Sequence, residues 1–320
     1  MIASKTLSRD KIINLAYASQ SRTLVAYTLT RAQNSNVAYR HYTHTLTTTT
    51  DLIKLFWQKW LPEGTIERVL VFQHGIGEHA GRYRHLLNAF DNTGTAFYAL
   101  DARGHGGSPG RRGYLTHFER FADDLGDLIQ LTGSENNGQA VFLLGHSLGG
   151  AIALDFALRA GNQEHLRGLV LSSAAIELPQ SGINRVLRVA AGLLARLAPE
   201  AVLDTMLQHA DLSHDAEAMA AYRADPLVHR KATVMLGHTL FQLNKRFYAE
   251  ANQLTVPIYL FHGTADRITS PEGTRKFFER LTAADKKLNL YEGLYHETMN
   301  ELPAEREKVL GDLREWVLTR

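Results

Sequence analysis

Six apolar runs recur along the chain from about residue 41 onward: RVLVFQHG (68–75), TAFYALD (95–101), AVFLLGH (140–146), LRGLVLSSA (166–174), VPIYLFHG (256–263) and KKLNLYEG (286–293). Several are apolar almost throughout, as strands buried on both faces of a parallel sheet must be. Between them, FERFADDLGDLIQLT (118–132), ALDFALRA (153–160), PEGTRKFFERL (271–281) and PAEREKVLGDLREWVL (303–318) place apolar residues at helical spacing. Pro271 and Pro303 suit first helical turns, where a missing N–H costs nothing. The alternation predicts an α/β fold, a mostly parallel sheet with helices on both faces.

The rhythm breaks between residues 177 and 240, a stretch rich in Ala, Leu and Arg with no convincing strand. It reads as a helical insertion after a core strand, which divides the chain into a core of 41–176 and 241–320 and a cap of 177–240. Within it, INRVLRVAAGLLARLAPE (183–200) sets Ile183, Val186, Leu187, Ala190, Leu193, Leu194 and Leu197 on one helical face, with Arg185, Arg188 and Arg196 opposite. That pattern fits a helix packed on its own protein, and equally a surface helix touching an anionic membrane. TLTTTT (45–50) fits a strand edge or a loop.

Composition narrows the field. Lys and Arg (35) barely exceed Asp and Glu (33), which argues against a nucleic-acid partner. The absence of cysteine excludes disulfides and thiolate chemistry. No stretch approaches the roughly 18 apolar residues of a membrane span. Residues 1–40 form an extension of unassigned role, with six basic residues against Asp10 alone. Its apolar piece IINLAYA is short, contains Asn14 and makes a poor secretory signal. The expected location is cytoplasmic, with peripheral membrane contact and secretion left open.

Candidate chemistry centres on Gly145-His146-Ser147-Leu148-Gly149, a G-x-S-x-G pattern between a strand and a helix. Its glycines allow a turn that holds a hydroxyl above the sheet edge, beside the unpaired N–H groups of a helix N-terminus. A serine needs a histidine base and an acid to orient it. Asp266 follows the strand VPIYLFHG, and His296 follows KKLNLYEG, so the order Ser, Asp, His falls on successive strand ends. Oxyanion donors are expected from the Leu148 N–H and from the Ile76 N–H in QHGIGEH (73–79). DARGHGGSPGRRG (101–113) carries Asp101, Arg103, His105 and Ser108, but its glycines and proline read better as a turn.

Taken together, these motifs resemble the α/β-hydrolase superfamily and, within it, the monoacylglycerol lipase group, whose bacterial members are often labelled lysophospholipases. The resemblance rests on HGIGEHAGRY (74–83), GHGGSPGRRGY (104–114), GHSLGG (145–150), HGTADRITS (262–270) and YEGLYHE (291–297), and extends to LSHDAEAMAAYRADPLVH (212–229) in the insertion. It implies Ser147 as nucleophile, Asp266 as acid, His296 as base, the Ile76 and Leu148 amides as oxyanion hole, and a cap that forms an apolar tunnel. The expected activity is hydrolysis of single-acyl lipid esters, without metal or cofactor. Lysophospholipids or a broader ester range are the alternatives, followed by aminopeptidase activity or non-catalytic lipid binding. Oligomeric state, acyl length and head group are left open.

Overall fold

A computed structural model describes residues 39–114, 117–179, 182–205 and 207–320. Up to residue 38, the expected N-terminal extension lies outside the described residues. The strands, in chain order, are β1 (Tyr39–Thr47), β2 (Lys54–Pro62), β3 (Arg68–Gln73), β4 (Thr95–Leu100), β5 (Val141–His146), β6 (Leu166–Ser172), β7 (Val202–Asp204), β8 (Lys231–Thr233), β9 (Ile258–Gly263) and β10 (Lys286–Tyr291). Eight of them form one sheet in the order β1-β2-β4-β3-β5-β6-β9-β10. β2 runs antiparallel to both neighbours, and every pair from β4 to β10 is parallel.

The six apolar runs thus become the parallel part of the sheet, and β4, β5 and β9 are buried along their whole length. β1 and β2 had no counterpart among the apolar runs. The reason is positional: β1 is an edge strand, half exposed along most of its length, so Thr and His interrupt its apolar positions. TLTTTT accordingly divides between the end of β1 and the turn that follows.

The helices are α1 (Leu86–Ala89), α2 (Glu119–Glu135), α3 (Leu148–Ala157), α4 (Gly182–Leu197), α5 (Ala216–Ala224), α6 (Val234–Glu250), α7 (Pro271–Arg280) and α8 (Pro303–Leu318). Leu125, Ile152, Phe247 and Phe277 bring α2, α3, α6 and α7 onto one face of the sheet. Leu86, Leu313 and Trp316 bring α1 and α8 onto the other. Each fully buried side chain of this size contributes about 1.5–3 kcal/mol relative to exposure.

The segment between β6 and β9 differs in detail from the all-helical insertion expected. It contains the antiparallel pair β7 and β8, three residues each, too short to leave a periodic signal. Helix α6 also runs straight through residue 240, the expected boundary. Helix α4 lies against α6, where the small residue Gly192 faces His238. Ala195 is buried, whereas Leu193 and Leu197 are 61% and 73% exposed. The large apolar residues at this end of α4 therefore face outward, and the small ones face the protein.

Sheet topology creates the site. From β3 the chain passes to β4 on one side, then returns to β5 on the other, so the loops after β3 and β5 diverge from adjacent strands. Such a switch point leaves a crevice at the carboxyl ends of the strands. Gln73 pairs with Gly145 at the last rung, which brings residues 74–76 beside residues 146–148.

Candidate active site

Ser147 occupies the junction of β5 and α3 with φ 54° and ψ −119°, a conformation that strains any residue with a Cβ. Its neighbours explain how the strain is held. A Cβ on Gly149 would lie 2.1 Å from the Gln73 carbonyl oxygen, and one on Gly145 would lie 2.4 Å from the Gly149 carbonyl oxygen. Only glycines let α3 begin this close to β3. The Ser147 N–H donates to the Ser172 carbonyl (3.0 Å), and the Ser147 carbonyl accepts from Ala175 N–H (2.9 Å), so β6 anchors the turn.

His296 reaches this serine from the loop after β10, and Asp266 reaches the histidine from the loop after β9. Ser147 Oγ lies 2.9 Å from His296 Nε2, and His296 Nδ1 lies 2.7 Å from Asp266 Oδ2. The two loops are tied together by Thr264 N–H to the Tyr291 carbonyl and Ala265 N–H to the Leu294 carbonyl. Asp266 Oδ1 accepts from the Ile268 (2.7 Å) and Thr269 (3.1 Å) amides. All three side chains are buried.

Electrostatics follow from that burial. Burial alone would lower His296, but the charge of Asp266 and its hydrogen bond hold the imidazole above its ordinary value. Burial would raise Asp266, yet His296 and the hydrogen bond from His262 keep it well below the usual carboxylate range. Next to His296, burial and that neighbouring imidazole push His146 down to about 3.

The Ile76 and Leu148 amides, the expected oxyanion donors, carry no hydrogen bond to another group among the described residues. The loop bearing Ile76 is braced by Glu78, which accepts from Gly75 N–H at 2.6 Å. Ile76, Ser147 and His296 line one small cavity of about 20 Å³, along with Glu78, Leu212, Tyr222 and Glu297. A water needs at least about 10–15 Å³ of such space, so this cavity has room for about one water.

One buried charged cluster beside Ser147 went unread in the sequence. Glu297 follows His296 directly, and its two oxygens take Arg82 in a bidentate pair at 2.7 and 2.8 Å. Arg82 also pairs with Glu78, and its guanidinium lies over the Tyr222 ring. Burial raises Glu78, whereas Arg82 outweighs burial at Glu297 and brings it to about 2. The spacing of Glu78 and Arg82, four residues apart, is a weak signal, and only the fold brings Glu297 to them. In DARGHGGSPGRRG, Asp101 accepts from the Ala80 and Gly107 amides, and Arg103 pairs with Asp51 and Asp124. Those residues brace the loop.

Parts of the segment between β6 and β9 are tied directly to these loops. Glu297 N–H donates to the Leu212 carbonyl (2.7 Å), Ser213 Oγ to the Asn300 carbonyl (2.8 Å), and His214 Nδ1 meets Glu301 at 3.0 Å. On the other side, His229 N–H donates to the Gly77 carbonyl (2.8 Å), and His79 Nε2 meets Asp225 at 2.8 Å.

A parallel sheet with a strained serine at a strand-to-helix turn, hydrogen-bonded to a histidine, defines a serine hydrolase of the α/β-hydrolase fold. Comparison with known proteins agrees. The family model described as Serine aminopeptidase, S33 matches residues 64–303, and the chain belongs to that family. It is 35% identical over 268 residues to a monoacylglycerol lipase of Mycolicibacterium smegmatis, covering 83% of this chain and 94% of that one. It is 34% identical to the monoglyceride lipase of Homo sapiens, covering 83% and 87%. The crystal structure of a monoacylglycerol lipase from Paleococcus ferrophilus superposes with a TM-score of 0.73 at 35% identity, covering 83% of this chain and 98% of that one.

Proposed function

We propose that this protein is a carboxylester hydrolase that cleaves monoacylglycerols and similar single-acyl lipid esters. The observation that carries the reading is the unbroken hydrogen-bonded line from Ser147 through His296 to Asp266, in a chain similar to monoacylglycerol lipases over most of its length. Ser147 Oγ attacks the ester carbonyl as His296 Nε2 takes its proton. Asp266 stabilises the imidazolium and holds the ring in the tautomer that presents Nε2 to the serine. Negative charge on the carbonyl oxygen falls to the Ile76 and Leu148 amides. His296 then passes the proton to the leaving alcohol, and a water activated by the same histidine releases the acyl group from Ser147.

We assign the segment between β6 and β9 as the cap that selects the substrate, extending the expected 177–240 to include all of α6. The outward leucines of α4 support contact with a lipid surface, since Leu193, Leu194, Leu197 and, on β7, Leu203 are all exposed. Charge reversal at Arg185, Arg188 and Arg196 then weakens binding to anionic liposomes; unchanged binding overturns this role.

An aminopeptidase requires an acid free to hold a substrate's α-amino group. Glu78 and Glu297 are the acids beside Ser147, and both are engaged by Arg82, which supports the ester reading. The deciding experiment is hydrolysis of a matched panel of monoacylglycerols, lysophospholipids and aminoacyl anilides, with Ser147→Ala as control. Preference for monoacylglycerols is expected. Faster anilide cleavage, or activity surviving in Ser147→Ala, overturns the proposal.

A further inference from the structure

The acid of the triad is shared. Oδ2 of Asp266, the oxygen that takes His296 Nδ1, also lies 2.9 Å from Nε2 of a second histidine, His262. His262 sits near the end of β9, fully buried, with its other ring nitrogen 2.8 Å from the Thr274 hydroxyl in the first turn of α7. An ionised carboxylate only accepts hydrogen bonds, so the nitrogen facing it carries the hydrogen. Thr274 can then donate to Nδ1, which fixes both the tautomer and the plane of the ring.

Other donors to Asp266 do not duplicate this one. The Ile268 and Thr269 amides serve Oδ1. Thr269 Oγ1 lies 2.8 Å from Oδ2 but also 3.0 Å from the Ser173 carbonyl, and its single hydrogen serves one of them. His262 is thus a second imidazole on Oδ2 besides His296.

We propose that His262, held by Thr274, is a positioning residue that fixes Asp266 Oδ2 between two imidazoles and so sets how strongly the acid pulls on the catalytic base. This rests on the triad reading above. A carboxylate that spends one lone pair on His262 has less negative charge to offer His296. Without that donor, the His296 imidazolium is held more tightly, and the base must be deprotonated at higher pH before it can act. The charged and titratable groups that face His296 besides Asp266 are Glu297, Glu78 and His146, and substitution at 262 leaves all of them in place.

The test compares His262→Phe, His262→Gln and the shape-conserving Thr274→Val with the wild-type protein on a soluble short-chain ester across pH. In His262→Phe the acid limb of kcat/KM moves up by about half a pH unit or more. Its plateau falls about tenfold, the scale of losing an outer partner of an oriented histidine. Thr274→Val shifts the limb in the same direction by less, and His262→Gln, which keeps an N–H donor, restores it towards wild type. An acid limb that stays in place or moves down in both His262→Phe and Thr274→Val overturns the proposal, as does failure of His262→Gln to restore it. If His262→Phe does not fold, the Thr274→Val profile decides. Labelling by a fluorophosphonate separates the two readings: an unlabelled wild-type Ser147 sinks the serine hydrolase itself, whereas labelled wild type with unmoved limbs sinks only the role of His262.

Discussion

The loops that carry Ser147, Asp266 and His296 and the outer end of helix α4 are built on opposite terms. In the loops, buried polar side chains are held by several partners at once: Asp266 takes donors from two histidines and two amides, and Arg82 spans Glu78 and Glu297. In α4, small residues make the contact with the protein while Leu193 and Leu197 face solvent. Chemistry needs groups fixed to a fraction of an ångström, which redundant hydrogen bonds supply. Selection of a greasy substrate needs apolar surface left unspent. Between them lie anchored parts of the segment between β6 and β9, where Leu212–His214 grips the loop of His296 and Asp225–His229 grips the loop of Ile76.

Ser147→Ala gives the largest break between the two regions: kcat on any ester falls by about 100,000-fold, while liposome binding is unchanged. Loss of liposome binding in that variant would tie the two regions together. Replacing Leu193 and Leu197 with serine does the reverse. Hydrolysis of vesicle-held monoacylglycerol drops about tenfold, with soluble short-chain esters unaffected; an equal loss on both substrates would place these leucines in the chemistry.

The pH profile sharpens the comparison further. In the proposed role as base His296 acts only when neutral, and it is held above its ordinary value of 6.5, so the protonated, inactive form persists to higher pH than an ordinary histidine allows. The half-point of the acid limb of kcat/KM should lie above 6.5 and be the same for the wild type and the leucine variant. A half-point below that value contradicts the pairing with Asp266. The smallest effect is expected at α5, whose N-cap Asp215 accepts from the Glu217 and Ala218 amides. Asp215→Ala should cost about 1 kcal/mol in urea unfolding and leave fluorophosphonate labelling of Ser147 intact.

Ser147, Asp266 and His296 could be picked out from amino-acid order because each constraint on them is local, and the fold brings the three within hydrogen-bonding distance. Gly145 and Gly149 flank Ser147 since a tight turn tolerates nothing larger, and Asp266 and His296 sit just beyond apolar runs that announce strand ends. Signals weakened wherever a residue's role depends on remote neighbours. TLTTTT, at the end of β1, fitted a strand edge as well as a loop because the strand pairs on one edge only. The apolar face of α4 fitted both burial and contact with a membrane, and the structure has Gly192 and Ala195 against the protein with Leu193, Leu194 and Leu197 exposed.

Local order was enough to settle the strand and helix rhythm, the parallel sheet and the type of chemistry, because burial on both faces and tight turns each demand particular residues at particular spacings. Tertiary structure alone decided that Glu297 would meet Arg82, that His262 would share Asp266 with His296, and that Leu193, Leu194 and Leu197 of α4 would be exposed. Those outcomes depend on which loops the sheet order brings together and on which side of a helix packs closer. Neither is written in any short stretch of chain.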